Sequence, residues 1–63
     1  MEEYFIVYTD DGKQDAYSNP KTLEFELKMS DKFLVVKRIT GNREEVLAIY
    51  YADKIKCIVK DKL

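Results

Sequence analysis

Strict alternation of apolar and charged residues in the segment TLEFELKM, residues 22–29, is the feature that most constrains the fold of this chain. Alternation at every second position is the pattern of a β-strand that has one buried face and one solvated face. The two alternating sets are Leu23, Phe25, Leu27 and Met29, and Glu24, Glu26 and Lys28. We therefore expect a strand here, in a sheet of which one face is covered.

Turn residues divide the rest of the chain into other short segments rich in β-forming residues. Asp11-Gly12 predicts a hairpin between residues 3–9 and 13–17, because glycine adopts a positive φ without steric cost. Four consecutive apolar residues within 32–39 are typical of a strand at the centre of a sheet.

The last third of the chain allows two interpretations. In a helix, Asn42 would be the N-cap and Glu45 would lie in the first turn, close to the pattern of a capping box. In the other interpretation, strands over 45–51 and 54–60 are joined by a turn, and the many β-branched and aromatic residues favour this one. The predicted fold is all-β, a small antiparallel meander of five to six strands in a curled sheet or half-open barrel. The alternative is an α+β fold, in which a four-stranded antiparallel sheet carries one C-terminal helix over about 43–60.

Length and composition indicate one small globular domain, 1–63. A chain of this size buries only about 60% of its unfolded surface, so its stability margin is small. No apolar run approaches the roughly 20 residues of a membrane span, and the acidic start is unlike a secretory signal. We expect a cytoplasmic protein that does not engage membranes. Nine lysines against two arginines fit an AT-rich coding sequence, such as that of a Gram-positive bacterium or its phages.

The side chains that usually carry chemistry are scarce. The chain has no histidine and a single cysteine, Cys57, so neither a disulfide nor a conventional zinc site can form within it. On a strand, Cys57 would share an inner face with Ile55 and Val59, as a small buried hydrophobe. The adjacent acids fall in predicted turns, where contact with solvent does not favour general acid–base catalysis by carboxylates. We therefore expect no enzyme activity, no cofactor and no metal.

Five tyrosines are the least ordinary part of the composition. Neighbouring residues of a strand point to opposite faces, so Tyr50 and Tyr51 cannot both be buried on one side of a sheet. Tyr4 and Tyr8 share a face, and tyrosine is enriched at protein interfaces. We expect Tyr4, Tyr8, Tyr50 and Tyr51 to contribute to a non-catalytic protein interaction, through a sheet edge or a tyrosine-bearing face. The partner would be another protein, for which this chain is a small modulator or inhibitor, or a second copy in a homodimer.

Charge is distributed unevenly along the chain. Residues 1–31 carry eight acids and three lysines, whereas 32–63 carry eight bases and four acids, so the halves have net charges of −5 and +4. The simpler explanation is compensation between neighbouring strands, and the other is separation onto two faces that orient a partner. Single-stranded nucleic acid is the alternative ligand, bound by Lys54, Lys56 and Lys60 with the tyrosines as stacking platforms. A net charge of −1 makes this partner the less favoured one.

In general character the chain resembles the short, standalone β proteins of phages and mobile elements of Gram-positive bacteria. The resemblance covers no specific motif.

Overall fold

The computed structural model of the protein describes residues 2–62, which form six β-strands. All strand pairs are antiparallel, and no α-helix occurs within the described residues, so the all-β prediction is confirmed. The alternative of a C-terminal helix over about 43–60 is wrong, because two strands occupy that segment. The strands are β1 (Glu3–Thr9), β2 (Gln14–Ser18), β3 (Leu23–Lys28), β4 (Phe33–Thr40), β5 (Arg43–Tyr51) and β6 (Ile55–Lys62).

The strands form two separate three-stranded sheets. The first sheet has the order β2-β1-β6, and the second has the order β3-β4-β5. Hairpins connect β1 with β2, β3 with β4, and β4 with β5, as in a meander. The last strand, β6, pairs with β1 instead of β5. A short 3-10 turn, Ala52–Lys54, leads from β5 to β6 in place of a hairpin turn.

Each sheet buries the residues of its central strand. The residues with less than a tenth of their surface exposed are Ile6 and Val7 of β1, and Leu34, Val35 and Val36 of β4. Consecutive residues point to opposite faces, so their joint burial means that both faces of each central strand are covered. The central position predicted for residues 32–39 is confirmed.

The β1–β2 hairpin follows from the chemistry of its turn. The amide of Gly12 donates to the carbonyl of Thr9 at 3.1 Å, and the amide of Thr9 donates to the carbonyl of Lys13 at 3.0 Å. Gly12 has a φ of 87°, so the three-residue loop ends on a left-handed glycine, a common hairpin geometry. The hydroxyl of Thr9 donates to the carboxylate of Asp11, and this hydrogen bond lowers the pKa of Asp11.

The two turns of the second sheet differ in how well their residues suit them. Gly41 has a φ of 62° at the first position of the two-residue β4–β5 loop, and the φ of Asn42 is not positive, as in a type II′ turn. Between β3 and β4, by contrast, Met29, Ser30 and Asp31 all have a positive φ, between 53° and 65°. This left-handed turn is closed by the amide of Lys32, which donates to the carbonyl of Lys28 at 3.1 Å. Left-handed backbone is unfavourable for Met29 and Ser30, whereas aspartate tolerates it better.

Two β-bulges interrupt the regular alternation. Tyr8 pairs with Cys57 and Thr9 pairs with Ile55, which leaves Lys56 as an extra residue in β6. In the second sheet, Val36 pairs with Ala48 and Lys37 pairs with Val46, which leaves Leu47 as an extra residue in β5. An extra residue shifts the alternation by one position, so side chains beyond a bulge change face.

Candidate interaction surface on the second sheet

The strand β5 forms one edge of the second sheet and carries an uncharged apolar run. Within residues 2–62 it pairs only with β4, which leaves the backbone groups along its other side without a neighbouring strand. Its last six residues, Val46 to Tyr51, read VLAIYY and contain no charge. The other three edge strands have no uncharged run of this length, because charged residues interrupt them: Asp15 in β2, Glu24, Glu26 and Lys28 in β3, and Lys56, Lys60, Asp61 and Lys62 in β6. Charges, especially lysines, are the usual protection of an edge strand against unwanted pairing.

Three apolar side chains of this strand emerge on one face, and we name them the β5 strip: Val46, Ile49 and Tyr51. They pair with Lys37, Val35 and Phe33, which alternate along β4 and therefore share a face. The bulge at Leu47 permits this arrangement, because it brings positions 46 and 49, three residues apart, to the same side. Their exposed fractions are 55% for Val46, 63% for Ile49 and 64% for Tyr51. More than half of each side chain is in contact with solvent.

The β4 residues beside the strip extend it into a wider apolar area. The rings of Phe33 and Tyr51 lie with their centroids 5.2 Å apart and their planes tilted by 38°. Such a tilted aromatic pair is mutually attractive beyond the area it buries. A shallow cavity of about 310 Å³ lies at this end of the sheet, lined by Asp31, Lys32, Phe33, Tyr51 and Asp53. Aromatic rings and carboxylates therefore meet at the end of the strip.

Charged residues border the β5 strip on the side of β3. Glu26 pairs in register with Val35 and so points to the same face as the strip. Its carboxylate accepts from the ammonium of Lys37 at 2.7 Å and from that of Lys28 at 2.9 Å. The hydrogen bond from Lys37, followed by that from Lys28, lowers the pKa of Glu26 to about 2, and Glu26 in turn raises the pKa of Lys37. An apolar centre with a polar border is the usual composition of a protein interface.

The opposite end of β5 is polar. A second shallow cavity, of about 480 Å³, is lined by Arg38, Thr40, Arg43, Glu44 and Glu45. The guanidinium of Arg38 in β4 donates to the hydroxyl of Thr22, the residue before β3, at 2.6 Å. The second sheet therefore has a mixed-charge end near Gly41 and an aromatic end near Tyr51.

The structure distributes the four predicted interaction tyrosines over both sheets. Tyr51 is the exposed member of the pair, whereas Tyr50 is half-buried on the other face of the second sheet. Tyr4 and Tyr8 are half-buried in the first sheet, where they share a face with the buried Ile6. The hydroxyl of Tyr4 donates to the carboxylate of Glu2, which raises the pKa of Tyr4. Their role in binding stays a prediction, and Tyr51 is the one that lies in the β5 strip.

The three lysines of the alternative nucleic-acid site do not form a row along one strand face. Lys54 lies in the 3-10 turn, and Lys56 is the extra residue of the β6 bulge. Lys60 pairs with Phe5 and forms an ion pair with Glu3 at 3.4 Å. Two ion pairs, Lys60 with Glu3 and Lys37 with Glu26, join the acidic half of the sequence to the basic half across neighbouring strands, as compensation predicts.

Cys57 and Val59 share a face of the last strand as predicted, but Ile55 lies on the opposite face and the predicted burial of Cys57 and Val59 is wrong. Cys57 was expected on an inner face with Ile55 and Val59, but Cys57 is exposed and Val59 is 39% exposed. The bulge at Lys56 is the reason, because it moves Cys57 to the face opposite Ile55. Ile58 and Lys60 lie on one face of β6, and Cys57 and Val59 lie on the other. The lysines of this segment therefore do not form a continuous face.

Sequence reasoning missed Val46, Ile49 and Phe33 as members of the surface. The signal that was available is the uncharged run VLAIYY, since a six-residue run without charge that is rich in β-branched and aromatic residues favours aggregation when it is exposed on a strand. The local sequence does not show that β5 is an edge strand or that a bulge brings Val46 to the side of Ile49. Both features depend on strand pairing, which the local sequence does not encode.

The part of the chain that the structure describes was also searched for a metal-binding group and for a membrane-spanning helix. Residues 2–62 contain no group of three His, Cys, Asp or Glu side chains placed to hold a metal ion. Among the same residues, no helix has the length and apolar character of a transmembrane span. Comparison with family models, curated proteins and solved structures finds no match to this chain.

Proposed function

We propose that this protein is a non-catalytic protein-binding module that acts through the free edge of β5 and the β5 strip. The observation that carries the proposal is the exposure of Val46, Ile49 and Tyr51, each more than half exposed, in the uncharged part of an edge strand. Soluble domains rarely leave a contiguous apolar surface open unless another molecule covers it. An edge strand also offers backbone donors and acceptors, which give affinity to an added strand.

The proposed module is a small modulator or inhibitor of another protein, of phage or mobile-element type, or a homo-oligomer. We place it in the cytoplasm, because a reducing compartment suits an exposed, unpaired thiol such as that of Cys57. The nucleic-acid alternative gains no support from the dispersed positions of Lys54, Lys56 and Lys60.

Site-specific photo-crosslinking tests the proposal. A benzoylphenylalanine in place of Tyr51 lies within the strip, and its aromatic character keeps the contact with Phe33. The matched control is the same amino acid at Gln14, an exposed position on the edge strand β2. We expect ultraviolet irradiation in cells to produce a discrete protein adduct from position 51 and none from position 14. Equal labelling at both positions, or no adduct at position 51, would contradict the proposal.

A further inference from the structure

The partner that best fits the free edge of β5 is a second copy of this chain. We propose that two copies pair antiparallel along β5, about a two-fold axis perpendicular to the second sheet. The two second sheets then form one continuous sheet of six strands. This inference rests on the proposed function and names the partner of the same surface.

The edge of β5 differs from the other edges of the two sheets. In β3 and β6 charged residues recur along the edge, and β2 is short and contains Asp15. The run from Val46 to Tyr51 has no such protection, although β5 is the longest strand, with nine residues. An unprotected, long and apolar edge favours pairing with another strand. Only β5 combines these properties among the described edges.

The β5 strip is also self-complementary. A two-fold axis perpendicular to a sheet leaves each face on its own side, so the strip of one copy comes to lie beside the strip of the other. Val46, Ile49 and Tyr51 of both copies then cover one another, as cross-strand pairs of β-branched and aromatic residues do. An unrelated partner would need its own matching apolar residues, whereas a second copy supplies them by symmetry.

Charge is distributed unevenly along β5. Arg43, Glu44 and Glu45 occupy its first positions, and the uncharged run follows. Parallel pairing in register would set Glu44 and Glu45 against the same residues of the other copy, which is unfavourable. Antiparallel pairing separates the two acidic pairs by most of the strand length, on the order of 20 Å at roughly 3.3 Å per residue. Charge therefore favours the antiparallel arrangement.

The arrangement also closes on itself. Pairing uses the β5 edge of both copies and leaves β3 as the outer edge at each side of the six-stranded sheet. That edge carries Glu24, Glu26 and Lys28, which oppose the addition of another strand. A two-fold interface of this kind gives a dimer and does not propagate into a fibre.

Sedimentation equilibrium of the purified chain, from about 10 μM to about 1 mM, tests the pairing across the range of weak complexes. We expect a reversible monomer–dimer equilibrium. Ile49→Lys, at the centre of the strip, should raise the dissociation constant about tenfold or more, because it removes buried apolar area and adds a charge to the edge. The control is Met29→Lys, which changes a side chain that is 73% exposed but lies outside β5, and it should leave the constant unchanged.

A second measurement guards against a variant that fails to fold. In a mixed sample of labelled and unlabelled wild-type chain, isotope-filtered NMR should show intermolecular contacts between the Ile49 methyl groups and the Tyr51 ring. A wild-type chain that is monomeric at the highest concentration would overturn the self-pairing, as would a dimer without these contacts. Monomeric behaviour together with an adduct to a different protein at position 51 would overturn only the self-pairing. A monomeric chain that also gives no adduct at position 51 would contradict the proposed function as well.

Discussion

At the scale of single residues, Glu26 carries a testable dependence of stability on pH. Its folded-state pKa is about 2, against an ordinary value of 4.5, because Lys37 and Lys28 stabilise the charged carboxylate. A lowered pKa stabilises the folded state at pH values above the ordinary pKa, and this contribution is lost as the pH falls from about 5 towards 2. We expect Glu26→Gln to reduce the free energy of unfolding at pH 6 and to have little effect near pH 2. Urea unfolding over this pH range measures the difference.

The matched control for this prediction is Glu24→Gln, two positions earlier on the same face of β3. Within residues 2–62, Glu24 has no ion pair of the kind that holds Glu26. Replacing Glu24 should alter the pH dependence of the free energy of unfolding less than replacing Glu26 does. If the wild-type chain and Glu26→Gln lost stability in parallel as the pH fell, the ion pairs of Glu26 would not be the cause.

The orientation of individual side chains was only partly predictable. The run of consecutive apolar residues correctly predicted that Leu34, Val35 and Val36 lie in a covered central strand, because neither face of such a run is polar. Alternation failed for Cys57, because the bulge at Lys56 reverses it. Nothing in the lysine-rich sequence around that position signals an extra residue, since the bulge is set by pairing with β1.

At the scale of elements, the left-handed turn between β3 and β4 predicts a stabilising substitution. Ser30 has a φ of 57°, a conformation that glycine adopts without steric cost. We expect Ser30→Gly to increase the free energy of unfolding by up to about 1 kcal/mol, because the relieved strain outweighs the added freedom of the unfolded chain. Thermal and urea unfolding of the variant and the wild-type chain measure the change.

The control is the same chemical change at Ser18, which lies in β2 with an extended backbone. There glycine adds freedom to the unfolded chain without relieving strain, so Ser18→Gly should be destabilising by about 0.5–1 kcal/mol. Effects of the same sign at both positions would show that the turn geometry is not responsible.

The elements themselves were predicted well wherever turn chemistry marks their ends. Asp11-Gly12 and Gly41 stand at hairpin turns, and the strands around them lie within two residues of their expected bounds. The left-handed run from Met29 to Asp31 was not predictable, because none of its residues is a glycine. Which strand would pair with β6 was also not encoded locally, since β1 and β6 are separated by most of the chain.

At the scale of the whole molecule, the two sheets differ in how far apart their paired strands lie in the sequence. The second sheet is formed by consecutive strands, whereas the first sheet needs β6 to reach β1, for example through the pair Val7 and Ile58. Distant pairs cost more loop entropy before they form, so we expect the second sheet to form earlier in folding.

Two valines that are both 0% exposed provide a matched test of this order, Val36 in β4 and Val7 in β1. Either change to alanine should cost about 2 kcal/mol of stability. We expect Val36→Ala mainly to slow folding and Val7→Ala mainly to speed unfolding, as measured in stopped-flow chevron plots. The reverse partition would mean that the β1–β6 ladder forms first.

The pairing of β1 with β6 also determines how the chain responds to mechanical force. Glu3, at the start of β1, is the register partner of Lys62, at the end of β6. Antiparallel ladder bonds run perpendicular to the strands, so a pull that separates these two residues loads the bonds one after another. The first sheet should therefore unzip under low tension instead of resisting in shear.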